Sequence, residues 1–429
     1  MRATGGGRGV GAMVGLALLF AALPGAQEPK PLTRADVLAE ATKVAAMIPS
    51  IDARAVVTAG IALELRRDDP QKGEALLAEA GFMATTEAHE FERALAMQAV
   101  ARRIRQVDAK WASDVLTEAA ELVYRIPFPG QRSLALMQIG MARAEESPEA
   151  GLELLEEAVT QARDIVEPQA RVAALRDLSA AFVPLKADTA QALFEEAVAT
   201  AEGLPAGVER DLSLADLAGF IAQRSVQQAI RLIDTIGESA ARSQALQSAV
   251  LAFPVEEAEA ARELAQRVPD EFARAETLAA LAVAVAEGKP EVARQAAEEA
   301  LATAGGIAEQ ETRNEGLALA AAAWVGIDVD RALAEAGRIA DPYFADAARA
   351  RIAVRLAPKS PERALEITQG IERVVLQSEP LSALVPALAA KDPAQARELA
   401  RQILARRARA EALLAIAASL PGGTPEEAP

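Results

Sequence analysis

The residues with which this chain could do chemistry are few and dispersed. His89 is the only histidine, and Glu87 and Glu90 beside it lack a metal-ligand spacing such as HExxH. The chain has no cysteine, which excludes disulfides, thiolate metal sites and a cysteine nucleophile. We therefore expect His89 to lie in a solvated interhelical loop, and we expect neither a metal nor a cofactor.

Two acidic patterns also fall short of a catalytic site. Asp328 and Asp330 resemble the start of a calcium loop, but its glycine and distal glutamate are missing, and Asp328 stands where a helix N-cap is expected. Adjacent glutamates recur too regularly for a catalytic pair, and such recurrence is typical of a solvated outer face. These pairs are Glu156–Glu157, Glu195–Glu196 and Glu298–Glu299. No catalytic residue is predicted.

An arginine marks the start of a helix in nine of eleven copies of a repeat, at intervals of 39 or 32 residues. The starts are Arg54, Arg93, Arg132, Arg171, Arg210, Arg242, Arg274, Arg313, Ala345, Gln377 and Arg409. Eleven residues past the start, ten of eleven copies carry a large apolar residue, which indicates a helix with one buried face. A ladder of arginines could bind a polyanion. Because the chain is strongly acidic, we instead expect each guanidinium to bind carbonyl groups of the preceding helix or a nearby carboxylate.

A second helix begins sixteen residues past each start, often with proline after a capping residue, as at Asp392-Pro393. The copies that are seven residues longer mostly move a branched apolar residue seven places along this helix, from Ile236 or Ile403 in short copies to Ile126 or Ile165 in long ones. Seven residues are almost two helical turns, so the face that meets the core is kept. The insertion should therefore lengthen the second helix and not a loop.

Composition and charge limit the class of protein. Hydrophobic residues make up 51% of the 429 residues and aromatic residues only 3%, which is typical of close helix-on-helix packing. Residues 1–26 combine two arginines with an apolar run and predict a secretory signal peptide, although an uncleaved anchor is the alternative. Its removal would change the net charge from −17 to −19. We expect a periplasmic or secreted protein, with no nucleic-acid partner and no stable membrane insertion after cleavage.

The spacing of Leu317, Ala320, Ala321 and Trp324, with Ala332 in the next helix, resembles a tetratricopeptide repeat, although that family's period is 34 residues. The resemblance covers residues 54–420 and implies an all-α fold, an αα-superhelix, that binds proteins. The expected organisation is a capping helix in 27–53, ten helical hairpins in 54–408, a capping helix in 409–421 and a disordered tail in 422–429.

The function that this fold class favours is an exported, non-enzymatic scaffold that binds a protein or peptide. A structural spacer in a cell-envelope assembly is the first alternative. A carbohydrate-active enzyme with a helical toroid is the second, and it fits poorly because such enzymes need aromatic sugar platforms and irregular loops that carry carboxylates.

Apolar residues on the expected concave face are the candidate partner-binding site. In tetratricopeptide arrays this face carries positions that lie here two, five and nine past each start. Val56 stands at one of them, and the candidates are Leu63, Leu95, Leu134, Met137, Met141, Leu251, Val283 and Val354. They could form an apolar groove for a peptide, or a tightly wound superhelix could bury them, and solvent accessibility decides between these alternatives.

Overall fold

Short polar side chains fix where many of the helices begin. Asp69, Asp108 and Ser147 each accept a hydrogen bond from the backbone N–H three residues on, and each occupies the N-cap of a second helix. The structure, a computed structural model, describes residues 32–421, and these residues form 22 α-helices and no β-strand. The predicted signal peptide and the predicted disordered tail lie outside the described residues.

The helices alternate between the first and second members of successive copies. In chain order they are α1 Arg34–Ala45, α2 Ile51–Leu65, α3 Pro70–Thr85, α4 Glu90–Ile104, α5 Ala109–Val123, α6 Pro129–Ala144, α7 Pro148–Arg163, α8 Pro168–Phe182, α9 Ala187–Glu202, α10 Val208–Ala222, α11 Val226–Ile233, α12 Ser239–Leu251, α13 Ala258–Ala265, α14 Glu271–Val285, α15 Pro290–Gly306, α16 Gln310–Ala323, α17 Val329–Arg338, α18 Pro342–Leu356, α19 Pro361–Gln369, α20 Val374–Ala389, α21 Pro393–Gln402 and α22 Arg406–Ser419. Even-numbered helices are first helices, and each one from α2 to α20 packs along the second helix that follows it. The chain is therefore a helical-repeat solenoid, and the predicted all-α fold class is confirmed.

The two repeat lengths appear as two lengths of second helix. In the 39-residue copies, α3, α5, α7, α9 and α15 contain 15 to 17 residues. In the 32-residue copies, α11, α13, α17, α19 and α21 contain 8 to 10 residues. The seven extra residues therefore lengthen the second helix by about two turns, as the displaced branched residue predicted.

The repeated arginine connects each copy to the one before it. In five copies its guanidinium donates to the backbone carbonyl six residues upstream, at the end of the preceding second helix; for Arg274 and Val268 the distance is 2.9 Å. Gln377 replaces the arginine in one copy, and its amide nitrogen lies 2.7 Å from the Ile371 carbonyl oxygen. The predicted structural role of the arginine ladder is confirmed at these positions.

The array closes on itself. The first and last described helices are complementary halves of a hairpin, since α1 is a second helix without a first and α22 is a first helix without a second. α1 packs along α22 as each second helix packs along its own first helix, and α22 also contacts α2 as one first helix contacts the next. The two half-copies, expected to cap opposite ends of an open array, thus form an eleventh hairpin that closes a ring.

Ion pairs reinforce this closure. Glu40 of α1 accepts hydrogen bonds from Arg401 at 2.8 Å and from Arg397 at 2.7 Å, both on α21, across about 360 positions of the chain. Arg406 donates to the Met47 carbonyl at 2.8 Å. The hydrogen bond from Arg401, together with Arg397, holds the pKa of the Glu40 carboxyl below its ordinary value despite partial burial.

First helices line the inside of the ring and second helices form its outside. Every first helix contacts the first helices before and after it, whereas neighbouring second helices diverge and make few backbone contacts with one another. Long side chains bridge these outer helices, as between Arg163 and Glu196 and between Arg331 and Glu298. No helix among residues 32–421 is long and apolar enough to span a membrane.

Candidate partner-binding surface

Helical geometry defines which residues face the inside of the ring. Successive residues are about 100° apart around a helix, so positions two, six, nine and thirteen past each start fall within one narrow stripe. The buried positions four, eight and eleven lie on the opposite side of the helix, toward the paired second helix. We call the stripe of these four positions on the eleven first helices the inner face.

The exposure of the candidate residues depends on their position in the repeat. Leu134, Met141 and Leu251, at positions two and nine, are exposed. Leu63, Leu95, Val283 and Val354 occupy the same two positions and are half-buried. Met137, at position five, is only 7% exposed. Seven of the eight candidates therefore retain some access to the inside of the ring.

Three candidate positions on consecutive first helices form a groove. Val56 of α2, Leu95 of α4 and Leu134 of α6 line a depression of about 300 Å³. Asp52 lies at its edge, and a hydrogen bond from Ser50 together with nearby backbone N–H groups holds the pKa of the Asp52 carboxyl below its ordinary value, although partial burial opposes the shift. The groove thus combines apolar side chains with the amides of Gln98 and Gln138 and one carboxylate.

A second depression continues the same surface toward the opposite rim. It has a volume of about 410 Å³ and contains Leu63 together with Arg67 and Arg103. Gly60 at its wall would carry a Cβ 3.4 Å from Leu414 of the last helix. This part of the inner face is therefore completed by the closure of the ring.

A third depression, elsewhere on the ring, contains two carboxylates. Glu315, Glu379, Arg351 and Tyr343 line a cavity of about 210 Å³ between α16, α18 and α20. Neither glutamate forms an ion pair with another residue in the described part of the chain. These residues were not among the predicted candidates, although Glu315 and Glu379 stand at position two, as Leu95 and Leu134 do.

The remaining motifs have structural explanations. His89 is exposed at the start of α4, and residues 32–421 contain no cluster of three or more potential metal ligands. Asp328 caps α17 by accepting a hydrogen bond from the Arg331 backbone N–H. The paired glutamates lie on outer helices, where Glu298 and Glu299 bind arginines of neighbouring copies.

The opening inside the ring can be sized from helix packing. Eleven first helices spaced about 9 Å apart describe a circle about 32 Å across between helix axes. Subtracting one helix diameter leaves an opening on the order of 20 Å, which is wider than a single α-helix of about 10–12 Å.

Comparisons with known proteins add little to this geometry. No family model matches the chain, and no curated protein matches it. Among solved structures, the crystal structure of Ton1535 from Thermococcus onnurineus NA1 is similar with 17% sequence identity and a TM-score of 0.34. That match covers 82% of this chain and 99% of Ton1535. A TM-score this low supports no conclusion about the function of the present chain.

Proposed function

We propose that this protein is an exported, non-enzymatic scaffold that binds a polypeptide segment on the inner face of its ring. The observation that supports this most is the groove of Val56, Leu95 and Leu134. A solvated helix face would carry polar residues at these positions, and three consecutive copies carry large apolar ones instead.

The tetratricopeptide-like spacing supports the same proposal by analogy. Tetratricopeptide arrays bind peptides through the concave positions of their first helices, and the groove residues occupy such positions in this chain. The methionine at Met141, which is exposed on this face, could adapt to the shape of a partner.

Site-specific photo-crosslinking in the native cell envelope tests the proposal. A benzophenone amino acid at position 134 should form covalent adducts with a polypeptide. The same probe at position 166 should form none, because Val166 is 91% exposed but lies on the connection between α7 and α8, away from the inner face. The substitution Leu95→Asp should abolish the adducts formed at position 134. Absence of adducts at position 134, or equal labelling at both positions, would contradict the proposal.

Export is tested separately by fractionation. The protein should appear in the periplasmic or secreted fraction with its first 26 or so residues removed, as the signal-peptide pattern predicts. An unprocessed chain that stays in the cytoplasmic fraction would contradict export and leave the inner-face binding to be judged by the photo-crosslinking.

The carbohydrate-active enzyme has one observation in its favour. The cavity between α16 and α20 combines two carboxylates, Glu315 and Glu379, with the aromatic side chains of Tyr343 and Phe344. Hydrolysis of a glycan that is abolished by Glu315→Gln or Glu379→Gln would favour this alternative over the scaffold.

A further inference from the structure

The side chains at position two of the eleven copies encircle the inside of the ring. They change along the chain from apolar to acidic. The first five copies carry Val56, Leu95, Leu134, Ala173 and Leu212, which we call the apolar arc. After Gln244, four of the last five copies carry Glu276, Glu315, Glu379 and Glu411, which we call the acidic arc. Because the ring has eleven copies, the centre of one arc lies about half a turn from the centre of the other.

Three of the four members of the acidic arc lie outside the ion-pair network that stabilises the ring. Glu276, Glu315 and Glu379 are at least partly accessible, and none has an ion-pair partner among residues 32–421. On the outer helices, by contrast, Glu196 and Glu298 are paired with arginines of neighbouring copies. Carboxylates that face a shared opening without cations repel one another, so a cationic occupant would be favoured there.

The positively charged side chains near the acidic arc do not neutralise it, and its net charge is negative. Arg407 of the last helix binds Glu411 at 2.9 Å and neutralises that member of the arc. Arg351 lies in the same cavity as Glu315 and Glu379 but approaches neither of them within ion-pair distance. Asp52 adds a further negative charge at the edge of the apolar groove.

From these observations we infer that the ring takes one amphipathic helical segment, with its apolar side on the apolar arc and lysine or arginine side chains toward the acidic arc. This inference rests on the proposed scaffold function and names the chemistry of its partner. An opening on the order of 20 Å accommodates one helix together with its long basic side chains. The opposed arcs would also fix the rotation of that helix about its own axis, which gives specificity as well as affinity.

The test uses synthetic peptides and the full mature ring. The probe is a fluorescein-labelled peptide of about 18 leucine and lysine residues with all its leucines on one helical face. One control peptide replaces lysine with glutamate, and another has the same composition with the leucines spread around the helix. The inner variant combines Glu276→Gln, Glu315→Gln and Glu379→Gln. The outer variant makes the same charge change on α3 and α5 with Glu79→Gln, Glu118→Gln and Glu121→Gln, all at exposed residues.

The amphipathic leucine–lysine peptide should bind the native ring and the outer variant equally. Loss of three charge contacts should weaken its binding to the inner variant on the order of ten- to a hundred-fold. Equal weakening in both variants would show only general attraction to an acidic protein and would overturn the inference, as would equal binding of the glutamate peptide or the spread peptide. If position 134 crosslinks to a polypeptide while the inner variant binds the peptide normally, the partner chemistry is wrong and the scaffold function stands. If neither crosslinking nor peptide binding occurs, both fail.

Discussion

Replacing Leu413 with alanine should destabilise the whole ring, although Leu413 lies in the last helix of the chain. The matched control is Leu278→Ala in the middle of the array. Both leucines stand four residues past a copy start, and both are 0% exposed. Leu413 lies in α22, which packs along α1, and Leu278 lies in α14, which packs along α15.

The two substitutions should reduce the free energy of unfolding by similar amounts. Removal of a fully buried leucine side chain costs about 2–5 kcal/mol through lost burial and the cavity left behind. In an open array the terminal helices have one neighbour and fray, so damage there hardly affects the rest. In a closed ring every hairpin has two neighbours. The full cost of either substitution should therefore lower the stability of the whole ring, which is measured by its cooperative unfolding transition, here called the main transition.

Urea denaturation followed by circular dichroism measures the main transition, and hydrogen exchange locates any local opening. We expect the urea concentration at the midpoint of unfolding to fall by the same amount in the two variants. In the native protein, the amides of α1 and α22 should be protected from exchange as strongly as those of α14. The reasoning would be refuted if Leu413→Ala left the main transition unchanged and increased exchange in α1 and α22 alone.

Two further predictions concern the contacts between copies. Glu40→Gln should lower stability by about 1 kcal/mol at pH 7. The folded-state pKa of Glu40 is depressed, so this difference should be present above the ordinary value of about 4.5 and vanish as the pH falls through the lowered pKa; a difference that persists in acid would contradict the ion pair. Arg274→Met should cost about 1–2 kcal/mol by leaving the Val268 carbonyl unpaired, whereas Arg274→Gln should retain most of the stability, as Gln377 does naturally. Heparin affinity should not change in either Arg274 variant, and a loss in both would instead favour a polyanion-binding ladder.

The helices and their lengths could be predicted because they depend on neighbouring residues. A capping side chain such as Asp69 acts within one turn, and the displaced branched residue reports helix length directly. The carbonyl bonds of the repeated arginine were predictable for the same reason, since donor and acceptor are six residues apart.

Ring closure was not predicted, because it depends on small rotations summed over eleven copies and not on any single motif. One signal could have indicated it. An array that begins with a lone second helix and ends with a lone first helix has complementary ends, as α1 and α22 show. The ion pairs of Glu40 join residues about 360 positions apart, and no single sequence reveals such a pairing.

The inner face was predicted at positions two and nine and less well at position five. Leu134 and Met141 are accessible, but Met137 is buried, and position five lies about 70° from the centre of the exposed stripe. The acidic arc was not predicted, although Glu315 and Glu379 occupy the same register, because glutamates on a helix are typical of any solvated face.

The opening and its two arcs exist only if the ring is closed. A cross-link between α1 and α21, where the two ends of the chain meet, tests this closure most directly. Because the chain has no cysteine, Glu40→Cys with Arg401→Cys introduces a unique pair of thiols whose native side chains are 2.8 Å apart. A bismaleimide with a short spacer should join them within one monomer. Glu40→Cys with Asp234→Cys, placed about half a turn away around the ring, should remain unjoined. An open array of ten hairpins would separate residues 40 and 401 by about 100 Å, so the absence of an intramolecular product from the first pair would contradict the closed ring.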